Sequence, residues 1–194
     1  MLNKNVCYSG GSKGSDELFG KMAESCGHYA IHWSFQMHKS MGTKENTRIL
    51  PAFKLAIAND HLNIANKYLK RKFPSKSEYV NNLLRRNYYQ ILYSERIYAV
   101  CEFDNNMAPL GGTAWAIIMG INIGIDEIYV YETTRNSWIT FKRKHFNDIN
   151  RYAEEWEHID YDVIPKPHGH YAGIGKSELS GDGKQAIISL YEKE

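Results

Sequence analysis

Two glycine-containing segments carry the residue types that most readily do chemistry on a small anionic ligand. The first is Tyr8-Ser9-Gly10-Gly11-Ser12-Lys13-Gly14-Ser15-Asp16. Glycines allow a tight turn at positive φ and let a ligand approach the backbone, while a helix that follows presents unpaired N–H groups to a phosphate or ribose diphosphate. The segment has neither the GxxxxGK[ST] spacing of a P-loop nor the GxGxxG fingerprint. Asp16, in the first helical turn, favours the helix dipole but repels an anion, so it reads as an acceptor for ribose hydroxyls. The second segment, Pro109-Leu110-Gly111-Gly112-Thr113-Ala114-Trp115, has the same strand-to-helix character and is expected at the same carboxyl edge of a sheet. For each loop the competing reading is a plain turn with a helix cap.

Between them lies Leu84-Arg85-Arg86-Asn87-Tyr88-Tyr89-Gln90, polar and cationic within a helical pattern. At about 3.6 residues per turn, Arg86, Asn87 and Gln90 share a side and could offer a guanidinium fork and two amides to a phosphate or base. A solvated helix face is the alternative. Trp33, Phe35 and Trp115 could close over a base, with Ser34 beside them. The candidate ligand-binding set is therefore Gly10, Gly11, Ser12, Lys13, Gly14, Asp16, Ser34, Phe35, Arg86, Asn87, Gln90, Gly111, Gly112, Thr113 and Trp115. No catalytic residue is assigned, because no nucleophile elbow, HExxH or paired carboxylate motif occurs. His168-Gly169-His170 lacks a third ligand at metal spacing and reads as a loop with exposed imidazoles, so neither a metal nor a cofactor is expected.

The elements that must position these residues follow from punctuation and periodicity. Asn5 to Ser9 is a β-prone run, Asp16 opens a helix that stops at Gly27, and Tyr29 to Phe35 is a second strand, together a βαβ unit. Pro51 to Arg71, with Phe53, Ile57, Ile64 and Tyr68 near helical spacing, and Glu78 to Tyr93 read as successive helices. Arg96 to Cys101 is a strand, Gly111-Gly112 opens an apolar helix ending near Gly124, Ile128 to Tyr131 is another strand, and Trp138 to Phe141 its hairpin or edge partner. Asp148 to His158 can be helical. Tyr171 to Gly175 reads as a further strand end before a helix from about Gly181 to Glu192. The expected architecture is α/β, a Rossmann-like mostly parallel sheet with helices on both faces. It forms a single domain over residues 1–194, with 160–194 as a C-terminal addition.

Composition bounds the function classes. The 194 residues are 43% hydrophobic, enough for a substantial core. Twenty-four basic residues against 22 acidic ones leave a net charge of +2, which makes a nucleic-acid partner unlikely. No run approaches the ~18 apolar residues of a membrane span, and the first residues lead into a strand rather than a signal peptide, so a cytoplasmic protein is expected. Cys7, Cys26 and Cys101 show no paired spacing and read as inert core thiols.

In their shared order, Gly10-Gly11-Ser12-Lys13-Gly14-Ser15-Asp16 after the first strand, Arg86-Asn87 before a strand, and Gly111-Gly112-Thr113 at a helix head resemble the SLOG superfamily. This group of Rossmann-like proteins includes the LOG phosphoribohydrolases and the DprA domain. Tyr171 to Leu179 is similar to a segment of phage-encoded relatives. The resemblance implies capture of a nucleotide-derived small molecule, of ADP-ribose or cyclic ADP-ribose type, at the glycine loops. From the phage-like segment it implies an anti-defence sponge acting in the host cytoplasm, and from relatives that pair through flanking helices, a homo-oligomer. LOG enzymes carry PGGxGTxxE with a glutamate that serves the ribosyl bond. Here Leu110 is inserted after Pro109 and Trp115-Ala116-Ile117 supplies no carboxylate, so binding without turnover leads. The alternative is a nucleotide N-glycosidase or phosphoribohydrolase in which Asp16, Glu102 or Asp104 substitutes. A DprA-like single-stranded DNA module fits the charge poorly.

Overall fold

The computed structural model describes residues 5–144 and 155–193. It is an α/β fold of Rossmann-like character, built on one eight-stranded sheet. In chain order the elements are β1 (Val6–Ser9), α1 (Ser15–Ser25), β2 (Tyr29–Phe35), β3 (Thr47–Leu50), α2 (Ala52–Leu69), α3 (Glu78–Ile91), β4 (Arg96–Cys101), α4 (Thr113–Asn122), β5 (Glu127–Glu132), β6 (Ser137–Phe141), β7 (Trp156–His158), β8 (His170–Gly175) and α5 (Gly181–Glu192). The strand order is β3-β2-β1-β8-β4-β5-β6-β7. The first six in that order run parallel, and β6 and β7 close the far edge antiparallel.

This order places a switch point at the centre. From β1 the chain steps outward to β2 and β3, and from β4 it steps the opposite way to β5. Crossovers of one hand in opposite directions put their helices on opposite faces. Accordingly α1 packs with α5 on one face, and α4 with α2 and α3 on the other. The side chains of β4 show the division. Ile97, Ala99 and Cys101 join the core under α2, α3 and α4, while Tyr98 and Val100 join the core under α1 and α5. A central parallel strand covered on both faces has no solvent side, which is why all six β4 residues are buried.

The last part of the chain supplies β8, inserted between β1 and β4. Its glycines are dictated by neighbours. A Cβ on Gly173 would lie 2.5 Å from the Phe19 side chain, and one on Gly175 would lie 2.6 Å from Ser15 Oγ. Glycine in a strand marks such close approach, and here it seats α1 against the sheet.

Several expectations need correction. The helix predicted over Pro51 to Arg71 forms, but Phe53, Ile57 and Ile64 are 69%, 54% and 44% exposed; the packed stripe is Leu55, Ala58, Leu62 and Ala65. The small alanines allow close packing on α3 and α4, and this stripe has the same 3.6-residue period, so periodicity alone did not tell the two faces apart. Thr47–Leu50, not anticipated, is the edge strand β3, too short and too polar to show a strand pattern. Of the helix predicted over Asp148 to His158, residues 148–154 lie outside the described residues, and Trp156–His158 form β7 against β6. Cys7 and Cys101 are buried, whereas Cys26 is exposed at the end of α1. His168 is exposed, but His170 begins β8 and its Nδ1 lies 2.9 Å from the Tyr8 hydroxyl. No helix among the described residues is long and apolar enough to cross a membrane.

Candidate functional site

The loops leaving β1, β4 and β8 meet at the carboxyl ends of three adjacent strands, where open α/β sheets place their ligands. They border a cleft of about 410 Å³, within the usual ~300–1,000 Å³ of small-molecule sites. One wall is apolar. Val80, Leu83 and Leu84 of α3, at i, i+3 and i+4, face Leu110 and Ile174. The remaining lining is polar, from Ser12, Asp16, Arg86, Asn87, Thr113 and the 175–178 loop.

Arg86 is a structural staple at the floor. Its Nη1 donates to Asp16 Oδ2 at 3.0 Å and to Gln90 Oε1 at 2.6 Å, and its Nη2 donates to Ser12 Oγ at 2.8 Å. Both charged side chains of the Asp16–Arg86 pair are only 4% exposed. Asp16 Oδ1 accepts the Gly175 N–H at 3.1 Å, so this carboxylate ties the β1 loop to α3 and β8. Burial pushes the Asp16 carboxyl up, against the pull of Arg86 and the Gly175 N–H. Among the described residues only Arg86 Nε lacks a partner on the guanidinium. The fork expected to meet a ligand is therefore committed within the fold, and so is the carboxylate expected to take ribose hydroxyls.

The first glycine loop serves the same staple. A Cβ on Gly10 would lie 1.3 Å from Arg86 Nη1 and 2.5 Å from Asp16 Oδ2, so Gly10 makes room for the ion pair. Gly14, at φ +93°, passes so close to the β8 loop that a Cβ would meet the Ser177 carbonyl oxygen at 2.4 Å. The start of α1 is also occupied: Ser15 N–H donates to the Lys176 carbonyl, Glu17 N–H to Ser12 and Leu18 N–H to Gly14. The N–H groups expected to receive phosphate at this helix are largely used.

The second glycine loop is the reverse case. Arg71 donates to the carbonyls of Gly111 at 3.0 Å and Pro109 at 2.7 Å, and Asn87 Nδ2 donates to the Gly112 carbonyl at 3.1 Å. With its carbonyls held, the loop and the first turn of α4 keep the N–H groups of Gly111, Gly112, Thr113 and Ala114 without an acceptor among the described residues. A Cβ on Gly111 or Gly112 would meet nothing within 4 Å. These backbone donors at the positive end of a ten-residue helix suit an anion.

Of the predicted site residues, the structure thus brings Ser12, Asp16, Arg86, Asn87, Gly111, Gly112 and Thr113 to the cleft lining. Gly10, Gly11 and Gly14 shape the backbone behind it, and Lys13 points to solvent. Ser34, Phe35, Gln90 and Trp115 are buried away from it. Ser34 Oγ lies 2.9 Å from His38 Nδ1, Phe35 stacks on His38, and Trp115 packs on Phe73. Trp33 packs on Tyr89 and Tyr93, and among the described residues no aromatic ring lines the cleft.

The residues missed are the apolar wall, Val80, Leu83, Leu84, Leu110 and Ile174, and the β8 loop, Gly175, Lys176, Ser177 and Glu178. Lys176 pairs with Glu102, and Asp104 accepts the N–H groups of Asn106 and Ala108 in its own turn. Glu178 alone lines the cleft as a carboxylate with no partner among the described residues. Gly173 and Gly175, two glycines alternating at a strand end, were the available signal for a third loop. No protein-family model matches the chain, and comparison with curated proteins and with solved structures finds no significant match.

Proposed function

We propose that the cleft captures a nucleotide-derived small molecule of ADP-ribose or cyclic ADP-ribose type and retains it unaltered. The supporting observation is the pairing of four uncommitted backbone N–H groups at the start of α4 with an apolar wall from α3. The first suits a pyrophosphate, the second a base. The resemblance to the SLOG superfamily, whose members bind such ligands at these loops, points the same way, and the phage-like Tyr171 to Leu179 segment supports an anti-defence sponge in the host cytoplasm. Exposed Phe53 and Ile57 on α2, with Ile49 on the edge strand, support self-association.

Turnover of LOG type is the second reading, and Glu178 is the observation that favours it, since Asp16, Glu102 and Asp104 are all engaged. The protein is incubated with AMP, ADP-ribose, NAD and cyclic ADP-ribose isomers and passed through a filter; the retained fraction is then denatured and both fractions are chromatographed. Loss of one compound from the filtrate and its intact return on denaturation is the expected result. Release of free base that Glu178→Gln abolishes would establish the enzyme instead, and neither retention nor conversion of any compound would refute both.

A further inference from the structure

A second recess, of about 250 Å³, lies on the face of the sheet that α1 and α5 cover, where α5 leaves β5 and β6 partly uncovered. Tyr131 of β5 and Trp138 of β6 are directly paired across the antiparallel strands. Their rings meet edge to face with centroids 5.4 Å apart. Both are largely buried in the core beneath α1 and α5, and their remaining surface opens into the recess. The turn at Tyr161–Val163 brings in a third ring, fixed by a 2.5 Å hydrogen bond from the Tyr161 hydroxyl to the Ser189 carbonyl. On α5, Asp182, Gln185 and Ser189 stand at i, i+3 and i+7 along the facing side.

The electrostatics of this recess favour a cation. Asp182 is an exposed carboxylate without a cationic partner among the described residues. The charges of Asp182 and Glu132 add to burial in pushing the Tyr131 phenol up, and those of Asp162 and Glu192 do the same at Tyr161. Opposing them, Arg135 pairs with Glu132, and the Lys193 ammonium sits 3.9 Å from the centroid of the Tyr161 ring. Lys193 thus takes up one face of that ring, and among the described residues the carboxylate left without a cation at the recess is Asp182. Aromatic faces attract a weakly hydrated cation through their quadrupoles, and a carboxylate beside them selects charge over mere apolarity.

We propose that the Tyr131–Trp138–Tyr161 recess, with Asp182 at its rim, binds the methylated ammonium group of a small choline-type cation. A methylated ammonium is favoured over a guanidinium because the lining groups that could accept N–H donors are few, the Asp182 carboxylate and the Gln185 amide oxygen, while Ser189 Oγ already accepts from Gln185 Nε2. Its lining shares no residue with the cleft at the carboxyl edge of the sheet.

The test is a choline titration of the full chain followed by NMR of the indole N–H groups, with Trp138 assigned through Trp138→Phe. Its neutral isostere 3,3-dimethylbutanol is run in parallel at matched ionic strength. The Trp138 resonance is expected to shift saturably with choline and not with the isostere. Asp182→Asn, at an exposed position, should weaken binding about fivefold, and Asp182→Lys should abolish it. An equal response to the isostere, an unchanged affinity in both Asp182 variants, or no response to choline would overturn the assignment. So would binding to phosphatidylcholine vesicles without binding to free choline.

Discussion

Replacing Arg86 by methionine separates a staple from a ligand-binding fork. In the folded chain the variant leaves Asp16, 4% exposed, without its ion pair, retaining only the Gly175 N–H. Removing one member of a buried pair costs about 3–5 kcal/mol, because an uncompensated charge stays in a low dielectric. For a chain of 194 residues each kcal/mol corresponds to about 2–4 °C in Tm, so a fall of roughly 6–20 °C is expected in a thermal melt. Asp16→Asn combined with Arg86→Met removes both charges and should recover most of that loss, with a coupling energy of about 2–3 kcal/mol in the double-mutant cycle.

The pH dependence has a fixed sign. Burial already raises the Asp16 carboxyl, and without Arg86 it is raised further, so the folded state binds this proton more tightly than the unfolded state. Stability from this group is then fully present below the unfolded value and is lost as pH rises through the folded one. The Tm deficit of Arg86→Met relative to the parent should be smaller at pH 5 than at pH 8. A loss below about 1 kcal/mol, or singles that simply add, would refute the staple and return the guanidinium to the ligand.

Three further outcomes follow from the same geometry. Gly112 has ordinary helical dihedrals and open space where a Cβ would go, so Gly112→Glu should leave Tm within about 2 °C yet abolish retention of an anionic nucleotide in the filtration assay. Burial and the Arg86 charge lower His38 to about 4, so stability is lost as pH falls from about 6.5 toward 4, and His38→Gln should flatten that slope in denaturant titrations. Burial pushes Cys7 up to about 12 and raises Cys101 as well, so a thiol reagent should modify Cys26 in the native protein and reach all three cysteines only after denaturation.

Much of the fold is legible along the chain because its determinants are local. Glycine after a β-prone run and the apolar run Ile97 to Cys101 in β4 each reflect backbone sterics or burial that neighbouring residues reveal. Ser77 and Ser180, neither of them anticipated, cap α3 and α5 through their hydroxyls. The mostly parallel sheet follows from the alternation of such elements. Less was legible where two patterns share one period, as on α2, whose exposed Phe53, Ile57 and Ile64 mimic a core stripe. Edge strands of three or four residues, β3 and β7, carry too few side chains to show alternation.

For the site, residue types alone raised the expectation that two glycine loops and Arg86 share one pocket, and the structure brings both loops and Arg86 to one cleft. Only the tertiary structure decided what each does there. Asp16 and Arg86 are 70 residues apart in the chain, and their contact turns a presumed ligand fork into an internal ion pair. Residues 176–178 enter only because β8 inserts between β1 and β4 and brings their loop beside α1. A glycine motif specifies where backbone can approach closely. Whether the approaching atoms belong to a ligand, as the open Gly112 permits, or to the protein, as at Gly10, depends on long-range packing that local sequence does not encode.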